Sequence, residues 1–135
     1  IKQYVHTHPD SNIYLYGFVP KEDIPQLLKN FDASIVPLVT HIQGAFPSKI
    51  YDIISLGLPV LFCGKGEPAD FITTYQLGYA VTSDDYKALT NNIQLMCALS
   101  DEEYASMSQT CIYVSKTFLD FEKQMIEAFS FIRNI

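Results

Sequence analysis

The chain has 135 residues, 48% of them apolar and 13% aromatic, with a formal net charge of -6. This suits one domain with a real core and excludes a disordered chain. The acid excess, with no basic run, argues against a nucleic-acid platform but leaves room for a local anion site built from backbone N–H groups.

The elements are expected in the following order. Ile13-Tyr14-Leu15-Tyr16-Gly17-Phe18 is aromatic and β-branched, bounded by Asp10-Ser11-Asn12 and Pro20, and predicts a strand. From Lys21 to Asn30, Ile24, Leu27, Leu28 and Phe31 follow helical spacing; Pro25 is tolerated only in a first turn, which sets the helix start near Asp23. Ala33 to Leu38 is a second strand, apolar enough to be covered on both faces. A loop through Gly44 leads to a helix from Ser48 to Leu56 with Ile50, Ile53 and Ile54 inward and Gly57 as a left-handed stop. Val60 to Cys63 is a third strand, Gly64-Lys65-Gly66-Glu67-Pro68 a turn, Ala69 to Tyr75 a short helix, and Tyr79-Ala80-Val81 a fourth strand.

Beyond that the pattern is helical. Leu89, Ile93, Met96 and Cys97 share one face, and Ser100 with Glu103 forms a capping box. Tyr104, Met107, Cys111, Val114 and Phe118 continue at alternating spacings of three and four, and Asp120 can cap a last helix with Phe121, Met125, Ala128, Phe129 and Ile132 inward. Strands alternating with helices imply parallel pairing and right-handed crossovers, hence a three-layer Rossmann-like α/β domain over residues 1–135. Four strands are few for such a sheet. The chain opens on Ile1 rather than Met and in mid-pattern, so it is expected to be a piece of a longer protein lacking an earlier strand.

Cys63, Cys97 and Cys111 are odd in number and widely spaced, which favours buried reduced thiols over a disulfide framework or zinc site and fits the cytoplasm. No signal peptide is visible, and no apolar run approaches the ~20 residues that span a bilayer.

In open α/β sheets the ligand crevice lies outside the carboxyl ends of the strands. Here that is the loop through Gly44, the start of the Ser48 helix and the turn carrying Glu67. The first N–H groups of a helix attract a phosphate, although Ser48 also fits a plain N-cap. Lys49 opposes the helix dipole by roughly 0.3–1 kcal/mol, a cost that an anionic ligand offsets and a solvated lysine tolerates. Asp52, opposite Ile50 and Ile54, can accept from two adjacent sugar hydroxyls or be a surface acid. Gly64, Gly66 and Glu67 form a second ligand-facing loop or an ordinary turn. His41 lies in the site loop, as ligand contact or solvated side chain. His6 and His8 lack a third ligand, and no Ser/His/Asp or Cys/His arrangement can be assembled from the spacing. Asp84-Asp85 reads as a helix cap. No catalytic residue is assigned, and no metal or cofactor is expected.

Pro47-Ser48-Lys49-Ile50-Tyr51-Asp52 followed by Gly57-Leu58-Pro59-Val60 resembles the signature of retaining glycosyltransferases built from two Rossmann-like domains, the group 1 or family 4-like enzymes of GT-B type. The resemblance extends back through Gly17-Phe18-Val19-Pro20 and Phe31 to Pro37, and forward through Glu67 and Leu77-Gly78-Tyr79-Ala80-Val81 to Asp85. It implies most of the C-terminal, donor-binding half of such an enzyme. Asp52 would hold the nucleotide ribose, Ser48 and Lys49 the diphosphate end, Gly44 would lie beside the transferred sugar, and Glu67 would sit on the next loop. The chain departs from the family in three ways. The ribose acid is Asp instead of Glu. Gly44 stands where many members have a second glutamate. The phosphate-binding Arg and Lys, the domain's first strand and the acceptor domain are not in it. A galactofuranosyltransferase-like enzyme shares the Gly-Leu-Pro-Val turn.

The implied partners are a nucleotide-sugar donor and a sugar or lipid-linked acceptor, in polysaccharide or glycoconjugate assembly, with possible peripheral membrane association and no nucleic acid. The chain alone is expected to be inactive. The alternatives are a non-catalytic nucleotide-binding or interaction module and a sugar-nucleotide epimerase of the same fold.

Overall fold

The computed structural model describes residues 1–40, 43–118 and 121–133, and within the last span the side chains of residues 125, 126 and 129–133. Three parallel strands, β1 (Ser34–Pro37), β2 (Val60–Cys63) and β3 (Gly78–Val81), form a sheet in the order β1-β2-β3. Val36 pairs with Phe62, and Phe62 with Ala80. β2 is central, and its four residues are all buried, as a strand covered on both faces requires.

Two helices cross over between the strands: α3 (Ser48–Ser55) and α4 (Glu67–Thr74). They cover one face, where Val36, Val60 and Phe62 join Ile50, Ile53 and Ile54 of α3 and Ile72 of α4. The same core takes Cys111 and Val114 from the long helix α6 (Asp101–Phe118). The other face, with Leu61 and Cys63, lies under α5 (Tyr86–Cys97), whose Met96 is buried. The three-layer α/β architecture is therefore present. The remaining helices are α1 (Lys2–Thr7), α2 (Ile24–Leu28), preceded by a 3-10 turn at Lys21–Asp23, and α7 (Phe121–Arg133).

Local signals are realised as expected. Gly57, at φ +76°, ends α3: its N–H bonds Ile54 O at 3.0 Å, and Leu58 N–H bonds Ile53 O at 3.3 Å. It also lets α6 approach, since a Cβ there would lie 2.7 Å from Ser108 Oγ. Asp85 caps α5 by accepting from Ala88 N–H at 2.9 Å. Ser100 and Glu103 form the reciprocal capping box, with Ser100 N–H donating to Glu103 Oε2 at 2.8 Å and Glu103 N–H to Ser100 Oγ at 3.3 Å. Pro25 occupies the first turn of α2. α4 starts two residues earlier than expected because Pro68 fits its first turn.

Four expectations are corrected. Ile13–Phe18 is not a strand; its Tyr14 and Phe18 are 78% and 95% exposed. Strand composition stabilises a segment only beside a partner strand, and this one has none among the described residues. Cys97 is exposed, whereas Cys63 and Cys111 are buried; the neighbour of Cys97, Met96, is the buried residue of α5. Ile93 is exposed as well. Met125, Phe129 and Ile132 of α7 are exposed rather than inward; Asp120 lies outside the described residues, as do the side chains of Phe121 and Ala128.

Candidate functional site

α3 and α4 each follow a parallel strand in the chain, so both start on the side of the sheet where β1 and β2 have their carboxyl ends. Ser48 is the first residue of α3, and Pro47 is the N-cap, without a side-chain hydrogen bond. Ser48 is thus not the cap that its type suggests. Proline offers no side-chain acceptor; Ile50 N–H donates to Pro47 O at 3.0 Å, which leaves the N–H groups of Ser48 and Lys49 to face a ligand. Lys49 is exposed in that first turn. α4 opens in a parallel manner: Gly66, at φ +85°, is its N-cap without a side-chain bond, and Glu67 is its exposed first residue. Lys65 is exposed just before it. Each helix start therefore carries an exposed lysine within two residues. Lys65 was not singled out in the sequence, although its flanking glycines mark it.

Asp52 is exposed on the side of α3 away from Ile50 and Ile54, as its spacing predicts. It lines a cavity of about 100 Å³ between α2 and α3, together with Lys21, Ile24, Pro25 and Leu28. Lys21 is a second residue that sequence reasoning passed over; nothing in its local pattern announces that α2 lies beside α3. Gly44, at φ +75°, lies in the loop before α3, with no atom within 4 Å of where a Cβ would stand. Backbone conformation alone accounts for glycine there. His41 lies outside the described residues.

The loop is held by rings. Phe46 stacks on Tyr51 at 4.9 Å with planes 6° apart and meets Phe71 edge-on at 5.3 Å. The series continues through Tyr75, 4.9 Å from Phe71, to Phe118, 5.0 Å further on. Such pairs contribute about 0.5–1.5 kcal/mol each beyond area burial. Burial pushes the Tyr51 hydroxyl above its ordinary range, and likewise the Cys63 thiol at the end of β2.

The structure thus brings Ser48, Lys49 and Glu67 to one end of the sheet and places Asp52 one turn away, beside α2. His8 is engaged elsewhere: its ring stacks on Tyr4 at 4.1 Å and its Nδ1 is 3.0 Å from Tyr4 O. Among the described residues, no helix is long and apolar enough to cross a membrane.

A family model for glycosyl transferases group 1 matches residues 2–111. No curated protein and no solved structure matches the chain.

Proposed function

Because this chain belongs to the group 1 glycosyl transferases, we propose that it is most of the donor-binding half of a transferase that moves a sugar from a nucleoside diphosphate to an acceptor hydroxyl. The observation that carries the reading is the start of α3, where opening N–H groups without a side-chain cap are joined by Lys49. A diphosphate leaving group gains one further negative charge as the anomeric C–O bond breaks and its electron pair passes to the phosphate oxygen. Donors fixed in advance at that position favour the transition state over the ground state. Ser48 and Lys49 hold the diphosphate end in this proposal, with Lys65 reaching it from the α4 start. Asp52 accepts from the ribose hydroxyls, Gly44 leaves space beside the transferred sugar, and Glu67 faces the donor from the second loop. The acceptor binds on the other half of the enzyme. The pathway we propose is polysaccharide or glycoconjugate assembly in the cytoplasm, at the inner face of the membrane. The free cysteines accord with a reducing compartment.

Titrating UDP, GDP and ADP into the chain while following backbone amide NMR shifts tests the site. Shifts clustered at Ser48, Lys49 and Asp52 are expected, and their absence with all three nucleotides sinks the assignment. In the complete enzyme, Asp52→Ala is expected to raise the donor KM roughly ten- to a hundredfold, from the loss of charge-assisted hydrogen bonds worth ~1.5–3 kcal/mol. The acceptor KM stays the same. One observation favours a non-catalytic binding module instead: Gly44 supplies no carboxylate beside the sugar. Nucleotide binding without turnover of any nucleotide sugar by the complete protein would select that reading.

A further inference from the structure

Gln76 follows α4 at φ +55°, a left-handed conformation in which helices ordinarily end on glycine. Gln76 holds its side chain there at some cost in backbone strain. Gln76 lines a solvent-open cavity of about 630 Å³ bounded by α4, β3, α5 and α6. Asn92 and Ser106 line the same cavity, and among the described residues none of these three side chains has a hydrogen-bond partner. Glu103 reaches it as well. Ser100 holds one carboxylate oxygen through its backbone N–H and its hydroxyl, which keeps the Glu103 carboxyl below its ordinary range and leaves the other oxygen to accept.

β3 adds main-chain groups. Val60 N–H bonds Leu77 O and Gly64 N–H bonds Val81 O, so the alternate residues Gly78 and Ala80 turn their N–H and C=O groups away from β2, toward the cavity they line. Tyr79 and Met107 supply apolar wall between these polar groups. Amides and a hydroxyl that both donate and accept, one carboxylate, and an aromatic surface match a molecule with many hydroxyls at its edges and C–H groups on its faces.

We propose that this cavity is a second binding site, for a short neutral oligosaccharide, toward the amino-terminal end of β3 and away from the crevice that carries Ser48 and Glu67. Gln76 and Asn92 hold the sugar hydroxyls, Glu103 accepts from one of them, and Tyr79 lies against a ring face. The site does not depend on the donor reading, because a different set of amides reports it.

The test is titration of the isotope-labelled chain with maltotriose, cellotriose and chitotriose, each compared with UDP. At least one trisaccharide is expected to shift the Gly78 and Ala80 amides and the side-chain amides of Gln76 and Asn92, leaving Ser48, Lys49 and Asp52 unmoved. Gln76→Gly is expected to keep or raise the Tm, since glycine relaxes the backbone, and to weaken trisaccharide binding at least fivefold; Asn92→Ala weakens it similarly. The proposal is overturned if no trisaccharide shifts this cluster, or if both variants bind as the parent does. It is also overturned if a Val/Thr-rich hexapeptide shifts Gly78 and Ala80 where the sugars do not, which would make the β3 edge a peptide-docking strand.

Discussion

β2 and the segment Ile13–Phe18 are composed alike, from β-branched, aliphatic and aromatic residues, yet one is the centre of the sheet and the other lies open to solvent. Phe62 is fully buried between β1 and β3, while Phe18 is 95% exposed. The difference lies outside both segments. β2 has a parallel neighbour on each edge and helices on each face; Ile13–Phe18 has neither among the described residues. Strand propensity describes fitness for a half-buried pleated surface, and without that surface it stabilises nothing.

Substitutions on the two sides of this contrast can break it. The largest effect is expected from Phe62→Ala, which removes a fully buried ring from the core of the sheet. A loss of about 3–5 kcal/mol in unfolding free energy, measured by denaturant titration, is predicted. A loss under about 1 kcal/mol would mean that β2 is not the centre of stability. Gly57→Ala comes next. It forces a side chain to φ +76° and into Ser108, so a cost of about 1–3 kcal/mol is expected at the α3–α6 contact.

The buried region also carries a pH signature. Burial pushes the Cys111 thiol from 9.0 up to about 12, its Sγ donating to Leu77 O at 3.7 Å. In the unfolded chain the thiol ionises first, so the folded state binds the extra proton. Stability is then fully present below pH 9.0 and falls as pH rises toward about 12. Cys111→Ala should flatten denaturation midpoints across that window relative to the parent. In the same vein, iodoacetamide at pH 8 should label exposed Cys97 and spare Cys63 and Cys111 in the folded chain. The smallest effect belongs to Tyr14→Ser on the exposed segment, expected within about 0.5 kcal/mol of the parent. A cost comparable to that of Phe62→Ala would show that Ile13–Phe18 is packed after all.

The same contrast accounts for what was legible in the sequence. β2, the Gly57 stop, the Asp85 cap and the Ser100–Glu103 box are decided by residues within a few positions of one another, and each forms where its pattern says. The exposure of Cys97, of Met125 and of Ile13–Phe18 depends on which elements lie alongside, and helical or alternating spacing carries no such information. The helix starts at Ser48 and Glu67 were legible in outline, because each follows a strand and is marked by residues close by. Pro47 as the cap of α3 was not, since Ser48 offers the better capping side chain. Nor could spacing find Lys21 beside Asp52, or Gln76 at the lip of a cavity, because each depends on helices meeting from distant parts of the chain.

The rings from Phe46 to Phe118 have a consequence for how this protein can be observed. The chain has no tryptophan, so its near-ultraviolet optical activity comes chiefly from tyrosines and phenylalanines held in fixed mutual orientation. Tyr51 and Tyr75 belong to one continuous series of ring contacts that joins the loop before α3 to the end of α6. Displacing Phe46 changes the asymmetric surroundings of Tyr51 directly and those of Tyr75 through Phe71. The near-ultraviolet circular dichroism band is therefore an unlabelled gauge of loop position, readable in dilute solution as ligands are added.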